Sequence, residues 1–516
     1  MLNILLASVK TKPLLPFVLL FLLVITALFY FLGFHTQFFS GPYGMHYMRQ
    51  TDSLSFASQY YNKGYNFFSP QLYNLKNVDG KAACEFPVIY YLTALLYFVF
   101  GKQMFILKLI HLIIVYAGVY CFFRMSFLIL KDLSYAMLIT LFLFTSTVFN
   151  FYSFNYLPDA PALGFTLIGW YLIYNYTFEN KKKHILIGFL FFTLASLIKV
   201  TYLINPLAAL ILASYYFFFQ KKDLSFIIQA KKIIEHGITG VFIVLIWNAY
   251  MFYYNDFYNS TSFNTSALPI WSLSVENIGI IWDYINNYWY SKYFAQSSFH
   301  LLFALVLLQL VFLKKINFEI HLFTLIMFLG NLAYFLLFYA QFKDHDYYFL
   351  TFFPFILLIL ITGIKTVQNI SKKSMLHVCI KLLFLTLVII GINYSRSKLS
   401  DRYNVNEKIS PISYLIQENL LAIKNLNIPD NSKYIVGPDY SQNGGLLLLD
   451  KMGWNIESSK DITEFTINSY KSLGAQYLLL ASSENDILAV GKATGTVIFE
   501  AKGISIFKLN KPIGKK

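Results

Sequence analysis

The chain of 516 residues is 57% hydrophobic and only 13% charged, with 53 Phe and 40 Tyr, far from the roughly 25% charged composition of a soluble domain. That balance excludes an ordinary soluble fold and predicts a polytopic α-helical membrane protein. The formal charge of +15 does not point to nucleic acid, because Lys and Arg fall in short clusters between apolar runs, the pattern of cytoplasmic loops.

Lys10 and Lys12 precede an apolar run at 13–34 that is long enough to span and lacks a small-residue cleavage site, so it reads as an anchor and not a signal peptide. About 20 apolar residues make a span. By that ruler eleven transmembrane helices are predicted, near 13–34, 105–123, 133–150, 160–178, 184–200, 202–219, 235–254, 299–313, 320–340, 347–364 and 375–393. The run 185–219 would exceed about 50 Å as one helix, which predicts a hairpin turning near Lys199-Val200-Thr201 and Asn205-Pro206. Cys84, Cys121 and Cys379 are too few and too scattered for a disulfide framework or a thiolate metal site.

The longest polar interval in the first third of the chain is 46–87, and it is followed by an apolar segment, 87–100, of only 14 residues. That length suits an interfacial or re-entrant helix better than a crossing. If 87–100 does not cross, Lys10/Lys12, Arg124/Lys131, Lys181/Lys182/Lys183, Lys221/Lys222/Lys231/Lys232, Lys314/Lys315 and Lys365/Lys372/Lys373 all face the cytoplasm. If it crosses, the later clusters land outside. The non-crossing reading puts 35–104, 151–159, the turn near 199–206, 255–298, 341–346 and everything after about 394 on the outer side. Two domains follow: a transmembrane part at 1–394, with 35–104 as outer catalytic loop, and a soluble extracytoplasmic α/β domain at 395–516. Within the latter, helices are expected near 411–426, 443–452 and 461–473, and strands at 433–437, 476–481, 495–500 and 503–509.

Ionisable residues near the outward ends are His46, Arg49, Asp52 and Glu85, then Asp159, Lys199 and Lys343-Asp344-His345-Asp346, with Tyr347 and Tyr348 following. Separate segments thus deliver costly groups to one membrane face, which makes them functional candidates. Blander roles exist for each. Arg49 and Asp52 can pair along a helix, Glu85 and Asp159 can favour helix N-termini, and Lys199 can snorkel. His345, Tyr347 and Tyr348 can be interfacial residues. Asp52 is the lone acid of its segment, and the alternation Ser53-Leu54-Ser55-Phe56-Ala57 suits a helix lying along the membrane. Together the set suits sugar transfer from a membrane-embedded donor: a carboxylate as base or metal ligand, cations for a lipid-linked phosphate, and aromatic rings for the sugar.

The motif His46-x-x-Arg49-Gln50-Thr51-Asp52, then Tyr61-x-x-Gly64-x-x-Phe67, Pro70, Glu85-Phe86-Pro87, Pro158-Asp159-Ala160-Pro161 and His345-Asp346-Tyr347-Tyr348 resembles the bacterial dolichyl-phosphate-mannose-protein mannosyltransferase-like group. These are integral-membrane glycosyltransferases of the C superfamily, related to protein O-mannosyltransferases and to lipid A aminoarabinose transferases. Lys451-Met452-Gly453-Trp454 and Leu473-Gly474-Ala475-Gln476-Tyr477 look like parts of the soluble domain of that group. The resemblance implies an inverting transfer from a polyprenyl-phosphate sugar to a glycan, lipid or protein acceptor of the cell envelope, at the outer face of the bacterial cytoplasmic membrane. It implies Asp52 as catalytic carboxylate with Glu85 and Asp159 near it. His46, Arg49, Lys199, His345, Tyr347 and Tyr348 would bind donor phosphate and substrate, and Glu85, Asp159 and His345 would be ligands if a divalent metal ion is bound. Where protein O-mannosyltransferases carry adjacent Asp-Glu, Ser53 follows Asp52, which argues against a protein acceptor. A transporter or flippase of lipid-linked saccharides is the alternative, and a glycan polymerase a third reading. A transporter calls for charges near the bilayer midplane, whereas here they gather at one face.

Overall fold

The computed structural model describes residues 14–179, 181–219, 224–263, 267–404, 411–481, 485–501 and 503–510, so Lys10, Lys12, Lys221 and Lys222 lie outside the described residues. The chain divides into two compact units, Met1–Ser40 and Gly41–Lys516. The first holds α1 (Leu14–Phe31) and a short turn of 3-10 helix at Phe34–Gln37. The second begins with α2 (Tyr47–Asn62), α3 (Val88–Phe100), α4 (Phe105–Leu130), α5 (Leu133–Phe142), α6 (Thr147–Ser153), α7 (Asp159–Phe178), α8 (His184–Ile198) and α9 (Ile204–Phe219). It continues through α10 (Leu224–Phe257), α11 (Val275–Tyr284), α12 (Tyr290–Tyr293), α13 (Gln296–Val311), α14 (Phe318–Leu337), α15 (Phe353–Ile370) and α16 (Ser374–Asn404).

The protein is a multi-pass membrane protein. Among the described residues six helices are long and apolar enough to cross a membrane, and five more apolar helices are shorter. Each of the eleven predicted segments is helical, and the 185–219 run turns at Lys199, whose extended backbone separates α8 from α9. The segment predicted as one span at 133–150 is instead broken into α5 and α6, with Ser146 extended between them and capping α6 through its hydroxyl on the Phe149 amide. Three successive hydroxyl residues, Thr145, Ser146 and Thr147, offer the backbone side-chain partners that compete with the helix. The helices approach closely where glycines allow it: a Cβ on Gly118 of α4 would stand 2.4 Å from the Gly164 carbonyl oxygen of α7.

Helix α3 has 13 residues, or about 20 Å of rise, well short of a bilayer core. Its leading end is tied to the α8–α9 turn by the Phe86 amide on the Leu197 carbonyl. Just past its trailing end Lys102 pairs with Asp450 at 2.6 Å, and Asp450 also accepts from Asn62 at the end of α2. Both ends are thus tied to other parts of the fold, one to the α8–α9 turn and the other to Asp450 and the end of α2.

The C-terminal part comprises α17 (Pro411–Lys424), β1 (Tyr434–Gly437), α18 (Gly444–Leu449), β2 (Gly453–Asn455), α19 (Glu464–Ser472), β3 (Tyr477–Ala481), α20 (Asn485–Thr494), β4 (Gly495–Ala501) and β5 (Ile504–Leu509). The strands form one sheet in the order β2-β1-β3-β5-β4, parallel across β2, β1 and β3 and antiparallel across β3, β5 and β4. Its core joins Ile435, Trp454, Ile467, Leu478 and Phe507. β2 and α20 go beyond the sequence expectation; Gly453-Trp454-Asn455 is too short to show a period. The loop between α2 and α3 extends this sheet. Asn74 bridges Gly453 in parallel, with the Leu75 amide on the Gly453 carbonyl at 2.7 Å and the Gly453 amide on the Tyr73 carbonyl at 3.1 Å. An open edge at β2 is thus covered from within the chain, and Leu75 packs against the sheet core.

The expected amphipathic helix along the membrane is also different in detail. Residues Gln50 to Tyr60 of α2 are buried on every side, because α3 covers one flank and α18 another. The polar residues of that alternation face protein, not water.

Candidate functional site

His46 enters α2 in the left-handed region, φ 56° and ψ 38°, a conformation that costs a non-glycine residue of order 1 kcal/mol and is sustained by its surroundings. The loop before it is held against the end of α16. Gly44 has φ +74°, a Cβ there would lie 2.6 Å from the Arg402 carbonyl oxygen, and the Met45 amide donates to that same oxygen. The strained turn points the His46 ring at Asp346, Nε2 to Oδ1 3.1 Å. Asp346 is completely buried and also receives the Arg402 guanidinium at 2.6 Å and the Tyr152 hydroxyl at 2.5 Å.

One turn into α2, Arg49 pairs with Glu85, whose carboxylate also accepts from Cys84 and Tyr90. Burial opposes the Glu85 charge, but Arg49 and these hydrogen bonds outweigh it and hold the carboxyl below its usual range. Asp52, a turn further on, has no ion pair among the described residues; Asn443, just before α18, donates Nδ2 to its Oδ1 at 2.8 Å. Burial raises the Asp52 carboxyl to about 6, with Arg49 and Asn443 opposing that rise. Asn443 is fixed in turn, since its Oδ1 accepts from the Asn74 amide at 3.1 Å, and the neighbouring Ser441 hydroxyl lies 3.2 Å from that of Thr51.

Asp159 opens α7 without capping it and pairs with Lys199 at 3.0 Å. The Lys199 ammonium lies 4.2 Å from the centre of the Tyr348 ring and 5.0 Å from that of Tyr347, distances at which a cation is drawn to an aromatic face. Burial would lower the lysine pKa, but Asp159 and the two tyrosines prevail and raise it. His345 stacks on Tyr348 at 5.7 Å and stands 6.0 Å from the His46 ring, which meets Tyr347 at 5.0 Å. Burial, with His46 and Lys199 adding to it, lowers His345 to about 3, so it is neutral at ordinary pH.

The three pairs share one arrangement. The His46, Arg49 and Lys199 side chains are 15%, 20% and 19% exposed, while their partners Asp346, Glu85 and Asp159 are 0%, 7% and 5% exposed. The Arg49 and Lys199 side chains are thus less covered than the carboxylates paired with them, so of each pair the cation is the member that a negatively charged ligand can approach. Two buried nitrogens of this cluster, Arg49 Nη1 and His345 Nδ1, lack a hydrogen-bond partner among the described residues. Nearby is an apolar cavity of about 320 Å³ lined by Phe335, Phe342, Phe349 and Phe352 among others. Its Phe342 wall meets Tyr348 at 6.0 Å, so a greasy surface runs to the tyrosine under Lys199.

Of the nine residues singled out from sequence, His46, Lys199, His345, Tyr347, Tyr348 and Asp159 are joined by direct contacts, and Arg49, Glu85 and Asp52 line the first two turns beside them. Arg49 meets Glu85 and not Asp52. Glu85, Asp159 and His345 do not gather: no group of three or more His, Cys, Asp or Glu placed to hold a metal ion occurs among the described residues, and both acids are engaged by cations. These residues do not fit the role of a shared metal site. Asp346 stands among the outward ionisable residues of the sequence but carries no assigned role there, and Arg402, Tyr152 and Asn443 are not singled out. Asp346 adjoins His345 in sequence, and Arg402 is a charge at the end of the last long apolar helix, so both carried a signal; Asn443 carried none.

No family model and no curated protein matches the sequence. Solved structures do. ArnT from Cupriavidus metallidurans in the apo state is similar with a TM-score of 0.55 at 10% identity, covering 95% of this chain and 97% of that one. The Archaeoglobus fulgidus oligosaccharyltransferase is similar in its apo form, with a TM-score of 0.54 at 11% identity over 95% of this chain and 73% of that one. Its complex with zinc and sulfate gives 0.52 at 12% identity over 92% and 70%. At such identities the likeness is one of fold.

Proposed function

We propose that the protein is an inverting glycosyltransferase that moves a sugar from a polyprenyl-phosphate donor to a cell-envelope acceptor at the outer face of the bacterial cytoplasmic membrane. The observation that carries this reading is the chain of contacts from the Lys199 ammonium over Tyr348 to Phe342, which sets a cation beside an apolar cavity. A phosphate on a long hydrocarbon needs both at once. The fold shared with ArnT and an oligosaccharyltransferase supports the same reading, as does the clustering of Lys and Arg on the loops opposite the site.

Arg49 and Lys199 hold the donor phosphate and neutralise the charge that grows on it, with neutral His345 as a hydrogen-bonding neighbour. The acceptor hydroxyl oxygen attacks the anomeric carbon from the face opposite the phosphate. The bond from that carbon to the phosphate oxygen breaks, its electron pair leaves with polyprenyl phosphate, and the hydroxyl proton passes to Asp52. A carboxyl raised to about 6 is a stronger base than an ordinary aspartate and is still ionised near neutral pH. Proteoliposomes given labelled polyprenyl-phosphate sugar and cell-envelope lipid and glycan fractions test the reading: label must move to the acceptor with release of polyprenyl phosphate. Label that crosses the bilayer while still attached to its carrier would instead show a flippase.

A further inference from the structure

A second polar cavity, of about 210 Å³, lies between the end of α2 and the following loop, lined by Gln59, Tyr60, Lys63, Tyr65, Lys81 and others. Gln59 is 2% exposed, yet neither its Nε2 nor its Oε1 has a hydrogen-bond partner. A buried amide left without partners is destabilising, a cost that a sequence keeps when a ligand completes the bonds. One donor and one acceptor on a planar amide match two adjacent hydroxyls of a sugar. Tyr60 and Tyr65 supply ring faces. Lys63 and Lys81 have no carboxylate partner among the described residues, Lys81 resting on the Tyr258 ring at 4.0 Å. The volume is below that of drug-sized ligand sites, about 300–1,000 Å³, and suits one ring.

Gln59 is seven residues beyond Asp52 on α2, which puts the two on the same helix face about 10 Å apart. We propose that this cavity binds one anionic sugar unit, a uronate or a phosphosugar, of the acceptor glycan, and so presents the next unit's hydroxyl towards Asp52. The acceptor role rests on the transferase reading above; the binding of an anionic sugar does not.

Saturation-transfer NMR on the full chain in nanodiscs, with methyl glucuronide, glucose 6-phosphate and neutral methyl glucoside as probes, tests it. At least one anionic probe should bind ten-fold or more tightly than the glucoside. Gln59→Leu should weaken that binding at least ten-fold while its thermal midpoint stays at or above wild type, because the variant removes an unpaired amide. Lys63→Ala with Lys81→Met should abolish the anionic preference. Asp52→Asn should leave probe binding unchanged, which separates this site from the catalytic one. Absence of binding by both anionic probes, or wild-type binding by Gln59→Leu or by the lysine double variant, overturns the proposal. Probe binding as expected in a protein that transfers no sugar would leave the cavity standing and remove the transferase reading alone.

Discussion

Asn443 donates its side-chain amide to Oδ1 of Asp52 at 2.8 Å across 391 residues of chain, so a side chain beside the C-terminal sheet holds the proposed base in the outer loop. The bond favours the ionised carboxyl against the burial that disfavours it. In Asn443→Ala the Asp52 pKa should therefore rise further. The lower limb of the kcat/KM profile, expected near pH 6, should move up by about one unit, since a hydrogen bond to a charged group is worth about 1.5–3 kcal/mol. The sign is fixed: the base is lost as pH falls through the folded pKa, so activity at pH 6.5 drops more than at pH 8. An unmoved limb would show that Asn443 does not act on the base.

The Lys199–Asp159 pair separates binding from folding. Removing one partner of a buried pair leaves an uncompensated charge, whereas replacing both with apolar residues of like volume is often close to neutral. Lys199→Met with Asp159→Leu should keep a wild-type thermal midpoint in detergent and lose about 10²-fold in kcat/KM for the lipid-phosphate donor. Retained activity in that folded double variant would remove Lys199 from the donor site.

Arg402 and Asp346 are 2% and 0% exposed, and Arg402→Met alone should destabilise by about 3–5 kcal/mol. His46 loses its orientation with them. Thermal unfolding followed by intrinsic fluorescence checks the size of the loss, and adding Asp346→Leu to Arg402→Met should recover most of it. No recovery would show that the pair is needed for more than charge balance.

Asn74 joins the outer loop to the sheet, its side chain donating to the Gln442 carbonyl at 2.6 Å and to Asn455 Oδ1 at 2.7 Å. Asn74→Ala removes the donor from the buried Asn455 Oδ1, a loss of about 1–3 kcal/mol, and from the partly buried Gln442 carbonyl. Limited proteolysis should then cut the 70–77 loop faster than in wild type while the long helices stay protected. Unchanged cleavage would mean that the backbone bridge to Gly453 suffices.

Much of this was legible in the sequence because it depends on local pattern. Long apolar runs marked the long helices, and the short 87–100 segment marked α3 as a helix of only 13 residues. The pairing of charges was not legible. Arg49 had Asp52 three positions away on its own helix, yet it meets Glu85, because the turn before α3 delivers that carboxylate to the other side of the guanidinium. Asp346 and Arg402, or Asp52 and Asn443, come together only through tertiary structure, and no period or spacing announces such contacts. The break between α5 and α6 was hidden by hydropathy, since Thr145-Ser146-Thr147 scarcely lowers an apolar average. The burial of α2 was hidden for a related reason: its alternation reads as amphipathic until a second domain is known to cover the polar side.

The central claim is that Asp52 takes the proton during sugar transfer. In proteoliposomes with labelled polyprenyl-phosphate sugar and an acceptor fraction, Asp52→Asn should insert and unfold thermally like the wild type, bind the donor, and form product at least 10³-fold more slowly. Product formation at a rate near wild type by the folded Asp52→Asn protein would contradict the account.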